Sequence, residues 1–74
     1  MVNVIYDYAK LKGRIIEKMG SQTNFAKALG VSDRTLSLKM RNKVVWRQDE
    51  IAKAMDLLSI PSDIVTEYFF TAKV

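Results

Sequence analysis

The sequence predicts a small all-α domain of five helices, and three observations carry this prediction. Apolar residues recur at the three- and four-residue spacing of helices along most of the chain. Glycine, serine and proline stand where this spacing is interrupted, as is typical of positions where short helices begin and end. The length of 74 residues and the hydrophobic fraction of 49% allow one compact core. We therefore expect a single domain over residues 1–74.

The first helix is predicted over residues 8–19. Asp7 is a suitable N-cap for it, and Gly20 is a suitable end. Four apolar residues share one face of this helix: Tyr8, Leu11, Ile15 and Met19. This face is expected to lie on the core.

The second and third helices are predicted within the stretch QTNFAKALGVSDRTLSLKMRNK, residues 22–43. Ser21 can cap the second helix by accepting a backbone N–H bond, and this helix should end just before Gly30. Gly30 stands where a left-handed backbone is needed, which glycine adopts most easily. Ser32 can cap the third helix, which is expected to run from about Asp33 to Arg41. The pattern is therefore helix, tight turn, helix.

The last two helices are predicted at residues 48–58 and 61–68. Asp49 and Glu50 lie near the positive N-terminal end of the fourth helix, where acidic side chains are favourable. Pro61 suits the first position of the fifth helix. The ending FFTAKV has no helical period, so a short extended tail is possible there.

The composition argues against several classes of protein. The chain has no cysteine and no histidine, so it lacks the commonest metal ligands and the commonest general base. We therefore expect no enzymatic activity, no metal, no cofactor and no small-molecule substrate. No apolar run approaches the roughly 20 residues needed to cross a bilayer, and the N-terminus lacks the features of a signal peptide. We expect no membrane association and a cytoplasmic location.

Charge is distributed unevenly along the chain. Residues 1–48 contain ten lysines and arginines and three acidic residues, whereas residues 49–74 contain two lysines and five acidic residues. The first part is thus +7 and the second −3. Positive charge therefore surrounds the predicted helix-turn-helix, as binding to phosphate groups would require.

The order of residues around the turn resembles the helix-turn-helix of the lambdoid phage repressor and Cro family. The residues that carry this resemblance are Gln22, Phe25, Ala26, Leu29, Gly30, Val31, Ser32, Thr35, Leu36 and Ser37. The whole chain is also similar to small repressor-like proteins of phages and prophages of Gram-positive bacteria, through YDYAKLKGRI, TLSLKM, QDEI and EYFFTAKV. Two positions depart from the family pattern. Lys39 stands where many repressors have an apolar residue, a role expected to pass to Met40, and Asn42 replaces a common glycine.

The resemblance implies a compact repressor-like domain whose third helix enters the major groove of DNA. If Leu36 and Met40 face the core, Arg34, Leu38 and Arg41 face outwards. The candidate base-reading residues are Ser32, Asp33, Arg34, Ser37, Leu38 and Arg41. The candidate phosphate-binding residues are Gln22, by resemblance, and Lys27, Lys39, Lys43 and Arg47. Two of these have a simpler interpretation. Leu38 can be partly buried against a neighbouring loop, and Asp33 can serve the helix dipole.

The leading hypothesis is a sequence-specific regulator that binds double-stranded DNA as a homodimer on a near-palindromic operator. The alternative is a non-enzymatic protein-interaction module on the same scaffold, such as a phage adaptor or an antitoxin-like partner. Trp46 is expected to fold back as a lid on the core. Phe69 and Phe70 cannot easily face the same core, so one of them is expected to serve a partner chain.

Overall fold

The computed structural model describes residues 5–72 of the chain, and within them five α-helices enclose one hydrophobic core. The helices are α1 (Ala9–Met19), α2 (Gln22–Leu29), α3 (Asp33–Met40), α4 (Gln48–Leu57) and α5 (Val65–Phe69). The all-α prediction is confirmed, and the first four helices lie within one residue of their predicted bounds.

The fifth helix differs from its prediction. Its first turn is a separate 3-10 helix, Ser62–Ile64, in which the amide of Ile64 donates to the carbonyl of Pro61 over 3.1 Å. Ile64 has φ −117° and ψ 17°, which lies outside the α-helical range, so α5 begins only at Val65. Pro61 precedes the helical turn rather than occupying its first position.

The core is built around α2, which packs against α1, α3 and α4. Phe25, Ala26 and Leu29 of α2 are buried together, so nearly the whole inner face of this short helix is enclosed. The remaining buried apolar residues are Leu11, Ile15, Leu36, Ala54, Leu58, Ile60, Tyr68 and Phe69. Burial of these side chains is the main favourable contribution to folding.

The two ends of the described chain meet. Tyr6 and Ala72 form an antiparallel β-bridge, and the amide of Asp7 donates to the carbonyl of Thr71 over 2.8 Å. The tail that was expected to be extended is therefore paired with the start of the same chain as far as Ala72. Lys73 and Val74 lie outside the described residues.

None of the helices within residues 5–72 combines the length and the apolar character that crossing a membrane requires. Within the same residues, no three acidic side chains cluster in a way that could hold a metal ion.

Candidate functional site

The turn before α3 has the predicted geometry. Gly30 adopts φ 88° and ψ 25°, in the left-handed region, and its amide donates to the carbonyl of Ala26 over 2.9 Å. The Ser21 hydroxyl accepts from the amide of Asn24, and the Ser32 hydroxyl accepts from the amide of Thr35, each over 3.1 Å. The predicted N-caps Ser21 and Ser32 are confirmed, so short-range bonds set where α2 and α3 begin. The prediction for α1 is not, because Tyr8 occupies its N-cap position, although the Asp7 carboxylate accepts from the amide of Ala9 over 2.9 Å.

The outward side of α3 carries most of the residues that were expected to read bases. Ser32, Asp33, Arg34 and Arg41 are exposed, whereas Ser37 and Leu38 are half-buried. The carbonyl of Leu38 accepts hydrogen bonds from the amides of Lys43 and Val44 in the following loop. Leu38 therefore fits the simpler interpretation, in which it is partly buried rather than fully presented to a ligand.

The candidate phosphate-binding residues differ in exposure, and one of them is buried. Lys27, Lys43 and Arg47 are exposed and Gln22 is half-buried, but Lys39 is only 3% exposed. The prediction for Lys39 is wrong, because a buried and paired ammonium group cannot reach a phosphate. Met40 is half-buried and packs against the core, but it does not replace position 39, because Lys39 keeps the inward position.

Lys39 is satisfied inside the protein by two acceptors. Its Nζ lies 2.7 Å from Oε1 of Glu50 in α4 and donates to the carbonyl of Val45 over 3.0 Å. The same Glu50 oxygen accepts the amide of Arg47 over 2.9 Å, which caps α4. Burial acts to raise the pKa of Glu50, but the hydrogen bonds from Lys39 and Arg47 and their charges outweigh it and hold the pKa below its ordinary value.

A polar cleft of about 470 Å³ lies between α1, α2 and the end of α3. It brings together three of the predicted site residues, Gln22, Ser37 and Arg41, beside Lys12 and Tyr8. One wall is fixed by Asn42, whose side chain accepts from the amide of Tyr6 and donates to its carbonyl, each over 2.9 Å.

An apolar groove of about 290 Å³ lies next to this cleft, between the α3–α4 loop and the two ends of the chain. Val45 is 81% exposed at its edge, and Phe70 is 46% exposed, while Phe69 is buried. The expectation that one of the two phenylalanines packs on the core is confirmed. We call this region the aromatic groove. It is lined by the apolar or aromatic Tyr6, Tyr8, Val44, Val45, Trp46, Ile51, Phe69 and Phe70, together with Asn42 and Lys43.

Aromatic rings form a connected set on the floor of the aromatic groove. The Trp46 ring centre lies 5.1 Å from that of Phe69 and 6.5 Å from that of Tyr8, both edge to face. Tyr6 contacts Phe70 in the same way at 5.9 Å. Trp46 thus closes the core as expected. Sequence reasoning did not place Val44 and Val45 at a surface site, although an apolar pair next to Trp46 in a loop rich in basic residues was a usable signal.

A solved structure of a phage protein is similar to this chain over nearly its whole length. It is the solution structure of the modulator of repression of the temperate bacteriophage TP901-1 from Lactococcus lactis. The sequences are 52% identical, the match covers 93% of each chain, and the TM-score is 0.80. No curated protein matches the sequence significantly.

This similarity overturns the leading hypothesis of a DNA-binding repressor of the lambdoid and Cro type. The similar protein is named a modulator of repression rather than a repressor, and the buried Lys39 removes one of the cations assigned to DNA. The alternative hypothesis, a protein-interaction module on the same scaffold, is better supported. The resemblance to small phage proteins is confirmed, whereas membership of the lambdoid repressor family is not.

A family model places the chain among its relatives. The model described as "Protein of unknown function (DUF739)" matches residues 4–72. The chain belongs to the DUF739 family.

Proposed function

We propose that this protein is a modulator of repression that binds a phage repressor protein and changes its activity without a chemical step. The observation that carries the proposal is the similarity to the modulator of repression of phage TP901-1, at 52% identity over 93% of both chains. At that identity and coverage, two proteins are expected to share their binding surfaces as well as their fold.

The aromatic groove is the surface that fits this function best. Val45 and Phe70 are exposed at its edge although both are large and apolar, and such patches commonly mark protein-binding sites. Aromatic residues are also enriched at the centres of protein interfaces, where they contribute much of the binding energy. The repressor is therefore expected to insert apolar side chains between the α3–α4 loop and the C-terminal segment.

Charge indicates the kind of repressor surface that would fit. Lys43 lines the groove and Arg41 lines the adjacent cleft, and both are exposed. Arg47, next to Trp46 in the sequence, is also exposed and lies 3.3 Å from Asp49. Carboxylates around the apolar contact of the repressor would complement these cations. Binding should consequently weaken as salt is added, mainly through slower association.

The test is calorimetric titration of the purified chain into the repressor encoded in the same genome. We compare the parent with Phe70→Ser and with Ile16→Ser as a matched control. The two side chains are 46% and 47% exposed, but Ile16 lies on α1, away from the groove. Phe70→Ser should weaken binding at least tenfold and Ile16→Ser should not. Absence of binding by the parent, or equal losses in both variants, would contradict the proposal.

A second copy of this chain is the competing occupant of the groove. The expected homodimer stays a prediction, and sedimentation of the parent alone measures it. Self-association that Phe70→Ser abolishes, without any binding to the repressor, would assign the groove to the dimer instead. The expected cytoplasmic location also stays a prediction, and it suits a protein whose proposed partner acts on DNA.

A further inference from the structure

Lys39 is the residue whose environment the proposed function leaves unexplained. It is the charged side chain that is most deeply buried in the described residues, at 3% exposure. An apolar residue would fill this inward position of α3 without removing an ammonium group from water. Replacing buried ion pairs by apolar residues is often neutral or stabilising, so stability alone gives little reason for a lysine here.

The contacts of Lys39 reach the loop that forms one edge of the aromatic groove. Nζ donates to the main-chain carbonyl of Val45 over 3.0 Å and to Glu50 over 2.7 Å. It also lies 5.9 Å from the ring centre of Trp46, over its face. A single cation thus contacts the main chain, the neighbouring helix and the floor of the groove.

Glu50 extends this arrangement to the end of the loop. The oxygen that accepts from Lys39 also accepts from the amide of Arg47. The start of the loop is held separately, since the amides of Lys43 and Val44 donate to the carbonyl of Leu38. Lys39 and Glu50 therefore fix the second half of the loop, where Val45 presents a side chain that is 81% exposed.

We propose that Lys39, paired with Glu50, is a positioning residue for partner binding: it holds the Val45 main chain so that the edge of the aromatic groove is formed before the repressor arrives. This inference rests on the proposed function and adds the contact that orders the edge of the aromatic groove before binding. A loop already held in its bound conformation avoids the entropy cost of being ordered on binding. An apolar residue at position 39 would fill the same space but could not donate to the carbonyl.

The test is the double variant Lys39→Met, Glu50→Gln. It leaves the net charge unchanged, it leaves no unpaired buried charge, and glutamine can still accept the amide of Arg47. The fold should therefore persist, with a melting temperature close to that of the parent. The Val45 carbonyl loses its donor, so nitrogen-15 relaxation should show increased motion at Val45 and Trp46. Repressor binding should weaken about tenfold, because the entropy cost of ordering roughly one loop residue then falls on the binding step.

The control is Lys53→Met, at an exposed lysine of α4 that does not line the groove. It should change neither loop motion nor binding. If the parent binds the repressor and the double variant binds equally well, or keeps a rigid loop, the inference is wrong while the proposed function stands. If the parent does not bind the repressor, the proposed function fails and the inference fails with it. A double variant that does not fold would show that the pair is needed for stability, which also overturns the inference.

Discussion

The two connections on either side of α3 are held in different ways. The α2–α3 turn depends on residues within or beside it, namely the left-handed Gly30 and the Ser32 cap. The α3–α4 loop depends on distant partners, because Lys39 reaches Glu50 and Asn42 reaches Tyr6, 36 positions away. The first connection is set by local backbone preferences. The second begins with local bonds to the Leu38 carbonyl, but the rest of its shape depends on tertiary contacts. The loop that forms the groove is therefore the one whose shape can be changed by single substitutions elsewhere in the chain.

The largest effect is expected from Glu50→Ala. It leaves the buried Lys39 ammonium group without its anion, and breaking a buried pair in this way costs about 3 kcal/mol. Urea denaturation measures the loss. The control is Asp49→Ala, because Asp49 is 70% exposed and its contact with Arg47 is a surface pair, which is worth little. Similar losses in the two variants would show that the loop does not depend on the buried pair.

Acid should weaken the same contact without a mutation. The pKa of Glu50 is below its ordinary value in the folded protein, so its contribution to stability is present above the unfolded pKa and is lost as pH falls through the folded pKa. The loss of stability in acid can be at most as large as the loss caused by Glu50→Ala. Thermal melts between pH 7 and pH 3 should show the parent and Glu50→Gln converging in acid. A difference that stays constant over this range would contradict the assignment.

The turn before α3 should be sensitive to backbone conformation instead. Gly30→Val places a β-branched residue at φ 88°, which costs about 2 kcal/mol. Steric crowding does not explain this cost, because a Cβ added at Gly30 would meet only Lys53 Nζ at 3.9 Å. Gly30→Asn should cost less, since asparagine tolerates the left-handed region. Equal melting temperatures for the two variants would point to a cause other than backbone strain.

A smaller effect is expected at Asn42, where the loop meets the N-terminal segment. Asn42 has φ 62°, and its side chain makes two hydrogen bonds to the main chain of Tyr6. Asn42→Gly removes only these bonds, at a cost of about 0.5 kcal/mol because they are exposed. Asn42→Ala adds backbone strain of about 1 kcal/mol. Chemical denaturation of both variants separates the contribution of the hydrogen bonds from that of backbone strain. A larger loss of stability in Asn42→Gly than in Asn42→Ala would contradict this assignment.

The smallest effect on repressor binding is expected from a change confined to the α2–α3 turn. Ser32→Ala removes the cap of α3, typically worth about 1 kcal/mol, but leaves Gly30 and the loop unchanged. Repressor binding by this variant should equal that of the parent once the fraction folded is taken into account. Weaker binding by the folded fraction would show that the local turn also shapes the groove.

The sequence predicted the parts of the fold that depend on near neighbours. Gly30 and Ser32 act within a few residues, so their roles followed from the pattern alone. Lys39 did not, because its burial depends on Glu50 eleven positions away and on a carbonyl of a loop with no regular structure. The same error entered the functional prediction, because Lys39 was counted among the exposed cations that favour DNA binding. Val44 and Val45 were missed because their exposure depends on the conformation of that loop.

Trp46 gives this protein a built-in optical probe. It is the single tryptophan of the chain, it lies on the floor of the aromatic groove, and its Nε1 has no hydrogen-bond partner among residues 5–72. Indole emission responds to nearby charges and to water, and the Lys39 cation lies 5.9 Å from the ring. A change in fluorescence on mixing with a non-fluorescent partner would report occupation of the groove in real time, without a label and in the native chain.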